Sequence, residues 1–119
     1  MGSSFKELVV WQRAIELSLT TYKLTSEFPE AERFGLTNQL RRASVSVASN
    51  IAEGYGRSSR GEYLQFLGHA RGSLFELQTQ LVIADGLDLG KANLRCEVQE
   101  VSDEVSKMLV VIMKKLRAP

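Results

Sequence analysis

Cysteine, histidine and proline are scarce in this chain of 119 residues, which has one cysteine, one histidine and two prolines. A single thiol, Cys96, cannot form an intramolecular disulfide framework, and this is compatible with a reducing compartment. Zinc sites built from histidine and cysteine are excluded on count, because His69 is the only histidine. We therefore expect no metal and no cofactor.

Strong net charge and long apolar runs are missing as well. The formal net charge of +1 excludes a highly basic histone-like chain and an acidic disordered one. No apolar run approaches the ~20 residues that span a bilayer. The segment Met1–Lys6 lacks the basic-then-apolar layout of a secretory signal. We expect a cytoplasmic protein with no membrane partner.

Apolar residues that recur at steps of three and four, as in amphipathic helices, are the main positive feature. This spacing predicts helices over about 7–27, 36–54, 60–85 and 91–117 in one domain, 1–119. Short connections make consecutive helices antiparallel. The predicted fold is all-α, an antiparallel up-down-up-down four-helix bundle. In the first helix, the stripe expected to face the core is Leu8, Trp11, Ile15, Leu19 and Tyr22. The corresponding stripes are Leu36, Leu40, Ala43, Val47 and Ile51 in the second helix, Tyr63, Phe66, Ala70, Leu74, Leu77, Leu81 and Ala84 in the third, and Leu94, Val98, Val101, Val105, Met108, Ile112 and Leu116 in the fourth.

The second helix is rich in small residues, so a neighbouring helix can approach its backbone closely. We predict that Gly54 closes this helix in a left-handed conformation. Ser59, followed three residues later by Glu62, predicts a capping box at the start of the third helix.

Two polar residues of the second helix are predicted to be structural. Asn50 lies between Val47 and Ile51 and needs a hydrogen-bond partner, for which we expect a polar contact between helices, with a ligand contact as the alternative. Glu53 lies near the helix end, where the dipole disfavours an acid. We expect it to pair with an arginine rather than to act in catalysis.

An enzyme needs a nucleophile with a base, a metal cluster or paired carboxylates in a cleft. A cysteine–histidine dyad could be built only from Cys96 and His69, the single cysteine and the single histidine of the chain. The glycines between Gly54 and Gly61 follow a helix rather than a strand and lack the Gly-Lys-Ser/Thr ending of a phosphate loop. We therefore predict no catalytic residue and no enzymatic activity.

All six basic residues between positions 33 and 71 are arginines, and the same segment has only two acidic residues. The rest of the chain carries net negative charge. The planar guanidinium suits bidentate contact with phosphate. A loop and two helix ends can gather Arg57 and Arg60, and with them Arg71, near one rim. We predict nucleic-acid contact by Arg41, Arg42, Arg57, Arg60 and Arg71. The alternative is pairing with acids on adjacent helices or subunits. A second basic cluster, at Lys107, Lys114, Lys115 and Arg117, is interpreted as complementing the helix dipole.

Apolar residues lie partly off the predicted stripes, which indicates self-association. A wider stripe that serves one core is the alternative. The residues concerned are Phe5, Val9, Val10, Leu17, Leu24, Phe34, Phe75, Val110 and Val111.

Two blocks, Asn50-Ile51-Ala52-Glu53-Gly54 and Ala70-Arg71-Gly72-Ser73-Leu74, carry a family resemblance together with Leu40-Arg41-Arg42-Ala43, Leu8-x-x-Trp11 and Phe28-Pro29. The chain resembles the four-helix-bundle proteins encoded in intervening sequences of bacterial 23S ribosomal RNA genes. The resemblance implies a homopentameric ring without catalytic residues. A related branch, the accessory variability determinant of diversity-generating retroelements, implies a basic surface that binds nucleic acid and works with a reverse transcriptase.

The function expected from this resemblance is that of a non-catalytic, self-assembling bundle. Its expected partners are further copies of itself, as a pentamer, and RNA or a ribonucleoprotein that binds the arginine-rich surface. The alternative is a purely structural or protein-interaction homo-oligomer without nucleic-acid binding.

Overall fold

Four helices make up most of the structure, a computed structural model that describes residues 4–119. They are α1 (Val9–Thr25), α2 (Leu36–Tyr55), α3 (Arg60–Gly86) and α4 (Ala92–Arg117), and short 3₁₀ turns at Phe5–Glu7 and Glu30–Glu32 precede α1 and α2. The described residues form no strand, and none of their helices is both long and apolar enough to cross a membrane. Met1, Gly2 and Ser3, on which part of the signal-sequence interpretation rests, lie outside the described residues.

Each helix packs against two neighbours: α1 and α3 both lie between α2 and α4. Consecutive helices run in opposite directions. Thr25 near the end of α1 contacts Arg41 near the start of α2, and Val9 at the start of α1 lies beside Met108 in the last part of α4. The predicted antiparallel four-helix bundle is confirmed, and its long dimension is 47 Å.

The face of α1 that lies in the core differs from the prediction. Leu8, Trp11 and Ile15 of the predicted stripe are partly buried and pack against the core, but Leu19 is 67% exposed and Tyr22 is 43% exposed. The buried residues of α1 are Val10, Ala14, Leu17, Thr20, Thr21, Leu24 and Thr25. The predicted and the observed stripe both recur at steps of three and four residues, and the predicted stripe is the more apolar of the two. The buried threonines are tolerated because their hydroxyls donate to carbonyls four residues earlier, as Thr21 does to Leu17 at 2.7 Å.

The observed core face of α1 also reduces the number of apolar residues that are left for self-association. Val10, Leu17 and Leu24 belong to the core and are unavailable for self-association. The predicted stripes of the other helices are confirmed over most of their length. Their fully buried members include Leu40, Val47 and Ile51 in α2, Ala70, Leu74 and Leu77 in α3, and Val98 and Val105 in α4.

Helix bounds differ from the predicted ones by up to two residues. Ser4 caps the separate 3₁₀ turn Phe5–Glu7, and Leu8 is extended, so α1 begins at Val9 rather than Glu7. At its other end α1 stops at Thr25.

Gly54 does not close α2, contrary to the prediction. The helix continues to Tyr55, and the capping residue, Gly56, has a φ of −78°. Gly54 is buried, and a Cβ added there would lie 2.8 Å from the Cβ of Phe66 and 3.3 Å from the backbone oxygen of Tyr63. This position therefore needs glycine because α3 approaches closely, not because the chain turns.

The turn between α3 and α4 is held by a buried arginine that sequence analysis did not identify. Arg95 donates to Asp85 at 2.8 Å and to the carbonyls of Leu89 and Gly90 at 2.7 and 2.6 Å. Its hydrogen bond with Asp85 raises the pKa of the Arg95 guanidinium above its ordinary value. Gly90 has a φ of +71° and lies against Leu24, so the turn docks onto the end of α1.

Two glycine-to-alanine substitutions test the close approach of α2 and α3. Gly54→Ala is expected to lower the free energy of unfolding by about 1–3 kcal/mol, because its Cβ has no space. Gly68→Ala is the matched control: a Cβ there meets nothing within 4 Å, and alanine should raise that free energy by about 0.5–1 kcal/mol. Urea denaturation measures both. Equal stability of the two variants would contradict the packing described here.

Candidate nucleic-acid interface

Two of the predicted arginines, Arg57 and Arg60, lie together at the turn between α2 and α3. Arg57 pairs with Glu53 at 3.2 Å, and its guanidinium carbon lies 4.7 Å from the ring centre of Phe66. Arg60 donates to the backbone oxygen of Ala118 at 3.3 Å. Both arginine side chains are exposed. Glu53 thus has the arginine partner that its unfavourable position near the helix end led us to expect.

The residues around this turn fix where α3 begins. Ser59 is extended, and its hydroxyl accepts a hydrogen bond from the backbone N–H of Glu62 at 3.1 Å. This half of the predicted capping box is present. Because Ser59 caps the helix, Arg60 is its first residue and lies at the rim of the bundle.

Arg71 does not join this rim. It lies eleven residues after Arg60 in α3, which corresponds to about 16 Å along the helix axis. Its guanidinium carbon lies 5.2 Å from the ring centre of Phe75, and its Nε is buried with no hydrogen-bond partner in the described part of the chain. The expectation that the turn gathers Arg71 was wrong, because a continuous helix separates the two positions.

Arg41 and Arg42 lie near the other end of α2 and differ in their surroundings. Arg41 is half-buried, donates to the hydroxyl of Thr25 at 2.8 Å and lies 4.5 Å from the ring centre of Tyr22. Arg42 is exposed. Successive residues of a helix point about 100° apart, so one side chain turns to α1 and the other to solvent. Arg41 therefore links α1 to α2, and Arg42 is the accessible member of the pair.

Asn50 contacts its own helix rather than a neighbour. Its side-chain N–H group donates to the backbone oxygen of Ser46 at 2.8 Å and to the Ser46 hydroxyl at 3.0 Å. Ser73 of α3 in turn donates to the Ser46 hydroxyl at 2.9 Å. The prediction that Asn50 contacts another helix was therefore wrong: Ser46 makes the contact with α3, and Asn50 bonds to Ser46 within α2.

Residues at the end of α4 lie beside the α2–α3 turn, because α4 runs antiparallel to α3. We define the basic end of the bundle as residues 4–8, 53–62 and 107–119. It has three acidic residues and seven basic ones, giving a net charge of +4. The basic residues are Lys6, Arg57, Arg60, Lys107, Lys114, Lys115 and Arg117.

The opposite end has a small charge of the opposite sign. We define the acidic end as residues 23–44 and 85–100, which include seven acidic and six basic residues, a net charge of −1. A chain that is nearly neutral in total therefore concentrates its positive charge at one end of a bundle that is 47 Å long. Sequence analysis treated the α4 lysines as a separate cluster. The up-down order of the helices was the signal that could have placed them beside Arg60.

His69 and Cys96 lie toward opposite ends of the bundle. His69 is exposed in the first half of α3 and packs edge-on to Phe66, with ring centres 5.7 Å apart, and Cys96 is exposed near the start of α4. Across residues 4–119, no group of three or more histidine, cysteine, aspartate or glutamate side chains is placed to hold a metal ion.

An apolar groove separates α1 and α4 near the basic end. We define the α1–α4 groove by Leu8, Val9, Val10, Met108, Val111 and Ile112, with Lys107 at its edge; its volume is about 390 Å³. Val9 is 59% exposed and Val111 is 52% exposed. These are members of the predicted apolar surplus that do remain at the surface.

Comparisons with known proteins agree with the fold and the motifs. The model of a family described as "23S rRNA-intervening sequence protein" matches residues 6–111. Among solved structures, the chain is similar to a protein of unknown function from the S23 ribosomal protein family of Bacteroides thetaiotaomicron. The sequence identity is 22%, the match covers 89% of this chain and 99% of that chain, and the TM-score is 0.82. At this identity the likeness shows the fold alone. No curated protein matches the chain.

Arg41 and Arg42, which are adjacent in α2, test whether a guanidinium group that links two helices contributes more to stability than one that is exposed to solvent. Arg41→Ala is expected to lower the free energy of unfolding by about 1–2 kcal/mol, because it removes the hydrogen bond to Thr25 and the stacking on Tyr22. Arg42→Ala, the control, should stay within about 0.5 kcal/mol of the unmodified chain. Thermal and urea unfolding measure the difference. A decrease as large in Arg42→Ala would refute the assignment.

Proposed function

The chain belongs to the 23S rRNA-intervening sequence protein family, and on this premise we propose that it is a non-catalytic, self-assembling bundle that binds RNA or a ribonucleoprotein through its basic end. We place it in the cytoplasm. Within this proposal Arg57 and Arg60 contact phosphate groups, and Lys114, Lys115 and Arg117 extend the same surface.

The concentration of positive charge at one end of the bundle carries the proposal. RNA attracts cationic surfaces through its phosphates, and each phosphate contact releases condensed counterions. A net charge of +4 over residues 4–8, 53–62 and 107–119 provides such a surface although the chain as a whole has a net charge of only +1. The exposed arginines lie at the rim, Arg57 in the turn and Arg60 at the start of α3, where their guanidinium groups can contact the backbone of an RNA strand.

The basic end attracts a polyanion more strongly than the acidic end does. The acidic end has a net charge of only −1 and includes the exposed Arg42, so the first contact with RNA is made at the basic end and a bound strand can continue along the bundle. Arg41 binds α1 in this arrangement, and Arg71 lies away from the rim. The five arginines predicted from the sequence therefore have different roles: Arg57 and Arg60 form the proposed contact, and Arg42 offers a further accessible charge.

Self-assembly is the second part of the proposal, and the α1–α4 groove is its proposed interface. Exposed valines on two adjacent helices form a continuous apolar surface, which is favourable to bury against another copy. The family resemblance implies a pentamer. A ring brings several basic ends to one side when its copies are parallel, so that the charge of each adds to the attraction for RNA.

The related branch that the family resemblance implies, the accessory variability determinant of diversity-generating retroelements, supports the same interpretation. Proteins of that branch bind nucleic acid through a basic surface and work with a reverse transcriptase. This chain is close to neutral in total, so we propose that the local charge of its basic end replaces the overall positive charge of that branch.

A purely structural homo-oligomer is the alternative function. The ion pair between Arg57 and Glu53 favours it, because a guanidinium already paired with a carboxylate is less available to phosphate. The pair is exposed, and exposed pairs of this kind contribute only about 0.3–0.5 kcal/mol, so phosphate can replace the carboxylate at small cost.

RNA binding by the basic end is tested by the double variant Arg57→Ala/Arg60→Ala. We expect affinity for a structured ribosomal RNA fragment to fall steeply with salt in the unmodified chain. In the double variant, the slope of log affinity against log salt should shrink by about 0.7–0.9 for each phosphate group that the variant no longer binds. Fluorescence anisotropy over a range of salt concentrations measures both slopes.

The matched control is Arg33→Ala/Lys91→Ala. These cations lie at the acidic end, where Arg33 pairs with Glu30 and Lys91 with Glu27, and removing them changes the net charge by the same amount. This control should keep the slope of the unmodified chain. Absence of binding at low salt, or equal decreases of slope in the two double variants, would argue against the proposal. A change in molar mass of Arg57→Ala/Arg60→Ala would favour the structural alternative.

Self-assembly through the α1–α4 groove is tested by Val111→Glu. A charge in the middle of an apolar interface is costly to bury, so multi-angle light scattering should show the mass of a single chain, 13.3 kDa, where the unmodified protein shows a multiple of it. Leu87→Glu is the control, because Leu87 is similarly exposed at 59% but lies at the other end of the bundle. A Val111→Glu variant that keeps the full molar mass would place the interface elsewhere.

A further inference from the structure

The outer side of α2 and α3, away from the basic end, forms a groove with mixed aromatic and polar lining. We define the α2–α3 groove by Gln39, Arg42, Gly72, Phe75, Glu76 and Gln80. It consists of two adjoining depressions of about 330 and 390 Å³ that share Gln39, Glu76 and Gln80. Neither the fold nor the proposed phosphate contacts account for this combination of side chains.

Phe75 is the aromatic surface of the α2–α3 groove. It is 49% exposed, and the guanidinium carbon of Arg71 lies 5.2 Å from its ring centre. One turn earlier, Gly72 leaves open space, since a Cβ built there meets nothing within 4 Å. A glycine inside a helix lowers helix stability, and no packing within this chain requires one here. A flat group can therefore stack on the exposed part of the Phe75 ring, next to the guanidinium of Arg71.

Hydrogen-bonding side chains line the other side of the same groove. The Gln80 carboxamide oxygen is buried and has no hydrogen-bond partner in the described part of the chain. Gln39 and Glu76 lie beside it, and Arg42 is exposed at the edge. A buried acceptor without a donor costs free energy until a ligand supplies an N–H group. The groove thus joins a stacking surface to an unsatisfied acceptor.

We infer that the α2–α3 groove binds one unpaired nucleobase of an RNA strand, stacked on Phe75 and donating its exocyclic amine to the Gln80 oxygen. Unpaired bases in RNA are recognised by stacking on aromatic rings and arginine planes and by hydrogen bonds to their edges. Glutamine, glutamate and arginine are side chains that bind base edges. This inference rests on the proposed function, and it adds base recognition to the phosphate contacts of the basic end.

The Gln80 acceptor specifies which bases are preferred. Cytosine, adenine and guanine have an exocyclic amine, whereas uracil has a carbonyl in the place of the cytosine amine. A carboxamide oxygen accepts a hydrogen bond from the exocyclic amine of the first group. In uracil it meets a carbonyl at the position of the cytosine amine, and the N3–H of uracil lies between two carbonyls that repel the same oxygen. Cytosine and uracil are rings of the same size, so comparing them separates this hydrogen bond from stacking.

The experiment measures fluorescence anisotropy of the full chain with four labelled probes at neutral pH and low salt. They are a short oligocytidylate, an oligouridylate of equal length, an abasic ribose-phosphate strand and an RNA duplex. The variants are Phe75→Leu, which keeps an apolar side chain but removes the ring, and Gln80→Met, which keeps the length but removes the amide. Val82→Ala is the control, an exposed apolar residue of α3 outside the α2–α3 groove.

The unmodified chain should bind oligocytidylate more tightly than oligouridylate. Phe75→Leu should weaken binding of both single strands by at least about fivefold, as expected when one base no longer stacks, and leave binding of the abasic strand and the duplex unchanged. Gln80→Met should remove the preference for cytosine. Val82→Ala should behave as the unmodified chain does for all four probes.

Three results would overturn the inference. The first is equal affinity of Phe75→Leu and the unmodified chain for the single strands. If the abasic strand still binds in that case, the proposed function stands and only the base contact is refuted. A changed molar mass of Phe75→Leu in light scattering would assign Phe75 to contact between protein copies. Failure of every probe, including the abasic strand and the duplex, would refute the proposed function and this inference together. Since Phe75 and Gln80 lie on the outer side of α3, circular dichroism should show folded variants, and Gln80→Met tests the groove independently of the ring.

Discussion

The close approach of α2 and α3 is the constraint on which the other features depend. Gly54 has no space for a Cβ next to Phe66, and the Ser46 and Ser73 hydroxyls bond directly across the two helices. Small side chains bring the helix axes together, and this packing holds the turn that carries Arg57 and Arg60. The same pair of helices forms the two walls of the α2–α3 groove. Separating the two helices would alter both surfaces at once.

The direction of the helices gathers positive charge at one end of a nearly neutral chain. Basic residues at the end of α4 lie far along the chain from the α2–α3 turn, yet Arg60 contacts the backbone of Ala118. Acids of the α1–α2 connection and of the α3–α4 turn lie at the other end, where Arg41 and Arg42 offset part of their charge. Net charge over the whole chain therefore says little about what this protein can bind, and charge per end of the bundle is the relevant quantity.

Sequence periodicity predicted the number of helices, their order and the core faces of α2, α3 and α4, because a continuous row of apolar residues at steps of three and four marks the buried side of each. It succeeded only in part for α1, which has two stripes of equal spacing and exposes Leu19 and Tyr22. Threonine lies in the core stripe there, and its burial depends on hydroxyl bonds to the helix backbone that a hydrophobicity pattern does not represent. Gly54 was placed at the helix end because glycine commonly terminates helices, while its actual role depends on Phe66, twelve residues later. Arg95 was missed because its partners include backbone carbonyls, which sequence patterns do not show.

The arginines show why residue type alone did not identify the candidate site. A guanidinium group has five N–H donors, so it can hold several carbonyls and carboxylates inside a protein as well as phosphates outside. Arg95 holds a turn, Arg41 joins α1 to α2, and Arg13 of α1 donates to Glu104 of α4. Each of these three arginines lies either at a contact between two helices or beneath a turn that it holds. Arg57 and Arg60 lie at a rim where α2 ends and α3 begins, so their remaining donors face solvent. Position relative to the helix ends, rather than the presence of arginine, therefore distinguishes the groups that hold the bundle together from those available to a polyanion.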